Sequence, residues 1–222
     1  MKKKLAALTV GAAICLLTAQ AATAAIVSVG PLTTANGLFD LGDLSYNPLT
    51  STTTILLDVS DFVAEFPSAT LTPFLDRKFD TISFELFAAA NERITNVSYQ
   101  ESLQTMVYHG TNGFSYTAST GSAVVNNVSH GLGSFSQLTP TAGTFFSLET
   151  SFAIAGMEND VPVSITNDIL ALAYGDGFSA KVMKNYAALE VTTAPVPAPA
   201  ALWLFGSALT GLAATRRKRR EV

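Results

Sequence analysis

The most regular pattern along the chain is a two-residue alternation. Ile82, Phe84 and Leu86 fall on one face, with Ser83 and Glu85 on the other. Phe146, Leu148, Phe152 and Ile154 repeat the pattern against Ser147, Glu149, Ser151 and Ala153. Successive side chains of a strand point to opposite faces, so this period predicts half-buried β-strands. Thr52–Val59 reads as a denser strand and Tyr186–Thr193 as a last one. Weaker stretches at 93–100, 106–109, 114–117, 123–128, 161–165 and 178–183 bring the expectation to roughly ten short strands. Turns are expected at Gly110–Gly113, Asn126–Gly133, Pro140–Gly143 and Gly175–Gly177, with Gly30–Asn47 an irregular lead-in. Asp61–Phe66 and Ile169–Tyr174 read as short helical turns. With no long amphipathic helix, the pattern predicts one all-β domain over residues 25–194. Its two antiparallel sheets would pack as a β-sandwich or jelly roll.

Both ends break the pattern. Lys2, Lys3 and Lys4 precede an apolar run from Leu5 to Leu17, and Ala22-Thr23-Ala24 supplies a small-residue cleavage site. Residues 1–24 are therefore expected to be a signal peptide handed to the Sec export machinery and cut before Ala25. A cut after Ala19-Gln20-Ala21 is the second choice. The single cysteine, Cys15, follows Ile14 inside the apolar run and leaves with that peptide. The mature chain is thus expected to have no disulfide, no thiolate nucleophile and no cysteine-ligated metal.

At the other end, Pro195, Pro197 and Pro199 lead into an apolar stretch, Ala200–Ala214, closed by Arg216, Arg217, Lys218, Arg219 and Arg220. No charge lies between Glu190 and Arg216. A helix over that stretch would be about 22 Å long, short of a ~30 Å hydrocarbon core. Only Ser207 and Thr210 are polar within it, which favours a membrane helix over a buried core helix with a basic end. The basic run should stay cytoplasmic, placing the passenger outside.

The order of these parts, and the run Val196-Pro197-Ala198-Pro199-Ala200-Ala201-Leu202-Trp203-Leu204-Phe205-Gly206-Ser207-Ala208-Leu209, resembles the PEP-CTERM sorting signal of Gram-negative bacteria. Ala198 stands where that family has its namesake glutamate. The resemblance spans Val196–Arg220 and implies nothing about the passenger. It implies that an exosortase in the inner membrane recognises residues 195–222, cleaves them and passes the protein outward. Val196, Pro197, Pro199, Trp203, Phe205, Gly206 and the five basic residues would form the address. A permanent membrane anchor is the alternative.

The ends also distort the charge. Eight of the 13 Lys and Arg lie in them, but only Glu221 of the 17 acids does. Arg77, Lys78, Arg93, Lys181 and Lys184 then face 16 carboxylates, so the passenger carries about −11 against −4 for the whole chain. So few cations cannot neutralise a phosphate backbone, which excludes a nucleic-acid partner. Anionic lipid and acidic polysaccharide would be repelled unless divalent cations bridge them.

Catalytic signals are sparse. His109 and His130 each precede glycine in an expected turn, and neither G-x-S-x-G nor H-E-x-x-H is present. Asp40, Asp43, Asp160, Asp168 and Asp176 sit in acidic or Asn/Gly-rich stretches that could supply oxygens to calcium, although Asx-turns use the same residues. Tyr108, Phe114 and Tyr116 cluster around Gly110–Gly113. Core filling is the favoured reading for them, and stacking on sugar rings the other. The residues favour an exported, non-enzymatic surface or matrix protein associated with exopolysaccharide. The alternative is a secreted carbohydrate-active enzyme, whose acid pair would come from distant positions.

Overall fold

The computed structural model describes residues 27–66, 74–138 and 140–196, together with Phe205, Ser207 and Ala208. The expected signal peptide, with Ala22, Ala24 and Ala25, and nearly all of the expected sorting signal lie outside the described residues. Among the described residues, no helix is long and apolar enough to cross a membrane.

Among the described residues, twelve strands form two antiparallel sheets packed face to face, as the alternation predicts. One sheet runs β1 (Ser28–Val29), β6 (Phe74–Phe87), β11 (Asp160–Tyr174), β8 (Phe114–Val125) and β9 (Val128–Gln137), with β2 (Thr33–Thr34) also on β6. The other runs β10 (Thr141–Glu158), β7 (Glu92–Tyr108), β12 (Ser179–Pro195), β4 (Thr52–Asp58) and β3 (Asp40–Asn47), with β5 (Val63–Phe66) also on β12. We call these the β11 sheet and the β12 sheet, after their central strands. Ile82, Phe84 and Leu86 face inward, as do Phe152 and Ile154. Ile165, Ile169, Val97, Leu103, Leu189 and Val191 complete the middle of the core.

Several strands are longer than the alternation predicts. The two weak stretches at 93–100 and 106–109 are one continuous strand, β7. The apolar period breaks between them because Glu101 and Thr105 point inward and are buried. Likewise, Ile169–Tyr174 is strand and not helix. Its outward residues Leu170 and Leu172 are apolar too, which hides the period. Asp61–Phe66 contains strand β5, held in register against β12, and the supposed lead-in contains β3. The rest of the lead-in is pinned by buried Asp80. Its carboxylate accepts N–H bonds from Asn36 (2.7 Å), Leu38 (2.7 Å) and Phe39 (3.2 Å). The expected turn at Asn126–Gly133 shrinks to Asn126 and Asn127, both at positive φ, between paired Val125 and Val128. Two residues in that conformation match the twist of a hairpin.

One irregularity places chemistry. In β12 the register against β7 shifts between Lys184 and Tyr186, so Asn185 is an extra residue. A bulge of this kind lets two residues an odd number apart face the same way. Lys184 and Ala187 are both buried between the sheets, whereas Asn185 and Tyr186 are exposed. At one end of the sandwich, the 109–113 loop and the 175–178 turn touch backbone to backbone. A Cβ on Gly110 would lie 1.9 Å from the Asp176 carbonyl oxygen.

Candidate functional site

The outer face of the β11 sheet carries an open groove of about 510 Å³. Its residues are set by register. One row across β6, β11 and β8 reads Leu75, Leu172 and Tyr116. The next reads Arg77, Leu170 and Ala118, continuing to Ser136 on β9. The third reads Phe79, Asp168 and Thr120, then Ser134. Small residues on the β8 and β9 side lower the floor, while the long side chains of Leu75, Arg77 and Tyr116 stand as its walls.

Across this floor Arg77 reaches diagonally to Asp168. Its Nε donates to both carboxylate oxygens, at 2.9 and 3.1 Å, and an Nη donates as well. Those hydrogen bonds, and the charge of Asp168 beside it, raise the Arg77 pKa further above its ordinary value. The fork fixes both side chains and leaves them at the surface, with 56% and 20% of their side-chain areas exposed. Beyond the groove, Phe114 packs against Tyr174 with ring centroids 6.1 Å apart. Tyr108 and Phe114 are exposed and Tyr116 is half-buried, so the expectation that this cluster fills the core is corrected. The inward positions of β8 belong instead to Ser115, Thr117 and Ser119.

The five candidate calcium carboxylates are dispersed. Asp40 and Asp43 lie on edge strand β3 of the β12 sheet, not in a loop. Asp160 begins β11, Asp168 sits within it against Arg77, and Asp176 lies in the turn beyond it. Among the described residues, no three His, Cys, Asp or Glu side chains gather as a metal would need. His109 packs on Phe178 at 5.4 Å. His130 is on strand β9 and not in a turn, against Phe152 at 4.5 Å. Of the sorting residues, Val196 donates its N–H to the Asn91 carbonyl (2.8 Å) and Phe205 is exposed. Pro197, Pro199, Trp203, Gly206 and Arg216–Arg220 lie outside the described residues.

A second constellation lies between the sheets and has no counterpart in the sequence reading. Lys184 and Glu101 form an ion pair with 0% and 1% of their side chains exposed. Glu101 Oε2 accepts from Lys184 Nζ and from the Tyr99 hydroxyl, the latter at 2.6 Å. Tyr99 accepts in turn from Asn167 Nδ2 at 3.3 Å, reaching from one sheet to the other. The Lys184 ammonium also lies 5.4 Å from the Phe62 ring centroid. Burial lowers the Lys184 pKa from its ordinary value, against the opposing pull of Glu101. Burial, and then the adjacent Glu101 charge, push the Tyr99 phenol well above 10.0. Among the described residues, Glu101 Oε1, Asn167 Oδ1 and Ser119 Oγ find no hydrogen-bond partner. The one signal in the sequence is the pair Glu101 and Lys184 inside strands whose inward neighbours are apolar.

No family model and no curated protein matches the chain. Among solved structures, one of the infectious bursal disease virus Gx strain aligns at 11% identity, covering 89% of this chain and 72% of that one, with TM-score 0.22. TmCBM61 in complex with β-1,4-galactotriose aligns at 12% identity over 72% of this chain and 86% of that one, with TM-score 0.21. The enzymatically active domain of bacteriophage CBA120 tailspike protein 4 aligns at 11% identity over 74% and 19%, with TM-score 0.16. Likenesses this low carry no argument about this chain.

Proposed function

We propose that this chain is an exported, non-enzymatic surface or matrix protein that holds polysaccharide in the groove on the outer face of the β11 sheet. The observation that carries the reading is the juxtaposition of Tyr116, Leu75 and Leu170 with the fixed Arg77–Asp168 fork in one open groove. Sugar rings offer C–H faces that pack on apolar and aromatic side chains, and hydroxyls that bond to a fork held in place beforehand. Hydrolysis would need a second carboxylate free to work as an acid or base across the bond. Among the described residues that line the groove, Asp168 is the one carboxylate, and Arg77 engages it. A passenger charge of about −11 favours neutral polysaccharide, or acidic polymer bridged by calcium.

Delivery follows from the two ends of the sequence. Export through the Sec machinery and recognition of the PEP-CTERM-like tail by an exosortase would carry the sandwich to the cell surface or matrix of a Gram-negative bacterium. Isothermal titration against a panel of neutral and acidic polysaccharides, with calcium and with chelator, tests the groove. Tyr116→Ala is expected to weaken binding at least tenfold without altering the fold. Unchanged binding in that variant, or binding to no member of the panel, would overturn the assignment. Intact-mass measurement on protein from the native host tests delivery. The expected mass lacks residues 1–24 and the segment from about Pro197 onward.

A further inference from the structure

We propose that Lys184 and Asn167 become joined by an amide bond, stapling the two sheets together in a chain whose mature part has no cysteine to do so. The two groups stand at the ends of one hydrogen-bonded path. Lys184 Nζ, the nucleophile, contacts Glu101 Oε2. The same oxygen accepts from the Tyr99 hydroxyl, and that hydroxyl accepts from Asn167 Nδ2, the atom that would leave. A proton taken from the lysine therefore has a continuous route to the departing nitrogen.

The surroundings suit each step. Lys184 comes from the β12 sheet and Asn167 from the β11 sheet, both facing inward. Facing sheets lie about 10 Å apart, and a lysine stem with an asparagine amide spans about that distance when extended. The bulge at Asn185 lets Lys184 face this space on the same side as Ala187, Leu189 and Val191. Asn167 pairs with Gly121 in the sheet, and a Cβ there would stand 2.7 Å from Asn167 Oδ1. The glycine keeps the carbonyl side open. On the same inner face of β8, two residues from Gly121, the Ser119 hydroxyl is buried and has no partner among the described residues, as is true of Asn167 Oδ1 itself. That leaves an O–H donor for the negative charge that builds on the amide oxygen.

The atoms balance without an added reagent. The Lys184 ammonium passes one proton to the Glu101 carboxylate, leaving a neutral amine, a transfer that burial of the ammonium favours. The amine attacks Asn167 Cγ; the new C–N bond forms as the carbonyl electron pair moves to Oδ1. Glu101 returns its proton through Tyr99 to Nδ2 and takes the second proton of the attacking nitrogen. The Cγ–Nδ2 bond then breaks and ammonia departs. One proton remains on Glu101. A buried ion pair is thereby replaced by neutral groups, which removes the desolvation cost of two charges held away from water.

Peptide mass spectrometry of the full chain, unfolded and digested, decides this. The expected product is one branched peptide containing both residues, lighter by one ammonia than its two separate halves, with no cleavage after Lys184. Recovery of the two segments as separate, unmodified peptides would overturn the proposal. In Glu101→Gln, with the β fold confirmed by circular dichroism, the branched peptide is expected to disappear although both partners remain. Its formation in that variant at the wild-type yield would remove Glu101 and the relay from the mechanism.

Discussion

The molecule holds two cation–carboxylate pairs in opposite settings. Arg77–Asp168 lies on the outer face of the β11 sheet with water on one side, whereas Lys184–Glu101 lies between the sheets with none. The first loses little solvation and gains little stability, so its value is positional. The second has lost the hydration of both charges, so each partner depends on the other. A similar pairing thus fixes two side chains at the surface and constrains the core in the interior. Burial, more than residue type, separates the two.

Removing one buried partner should break the comparison most sharply. In an Asn167→Ala background, where no amide bond can form, Glu101→Ala is expected to cost about 3–5 kcal/mol in denaturant unfolding, because it leaves an ammonium buried alone. Replacing both together in that background, as in Lys184→Met with Glu101→Leu, is expected to recover most of that loss in the same measurement. Next comes Tyr99→Phe in the same Asn167→Ala background, expected to cost about 1–2 kcal/mol near neutral pH through the lost hydroxyl bond. The phenol also sets a pH limit. Its pKa is raised on folding, so the unfolded chain releases this proton near pH 10 while the folded chain retains it. Stability from this group is complete below about pH 10 and falls as pH rises above it. Urea titrations across that range should show the fall in the wild type and a flatter curve in Tyr99→Phe. The smallest effect on stability belongs to Arg77→Ala. It should leave the melting temperature within experimental scatter yet weaken polysaccharide binding several-fold.

The same contrast explains what the sequence discloses. Alternation at Ile82–Leu86 and Phe146–Ile154 is legible because one face meets core and the other meets water. It fails where either half of that rule fails. Glu101, Thr105 and Asn167 are polar residues pointing inward, satisfied wholly or in part by Lys184, Thr117 and Tyr99 at separations of 83, 12 and 68 residues, so β7 and β11 read as fragments. Leu170 and Leu172 are apolar residues pointing outward, so the end of β11 reads as helix. Among those exceptions, Leu170 lines the surface groove and Glu101 and Asn167 belong to the buried network. Asp168 was visible as a carboxylate, but its partner Arg77 is 91 residues away and only the register of β6 on β11 brings them together. The aromatic cluster at 108–116 was visible too. Its direction was not, because a one-residue change of phase in β8 separates core from surface.

Strand β12 carries a mechanical consequence. It lies inside its sheet, bonded to β7 along one side and to β4 and β5 along the other, and the chain leaves it at Pro195. A pull on whatever follows Val196 therefore runs along the strand, not across it. Edge strands peel off one hydrogen bond at a time. β12 would have to slide against both neighbours at once, breaking its bonds together. A domain tethered from that end resists traction in shear, the orientation in which a β-sheet yields last.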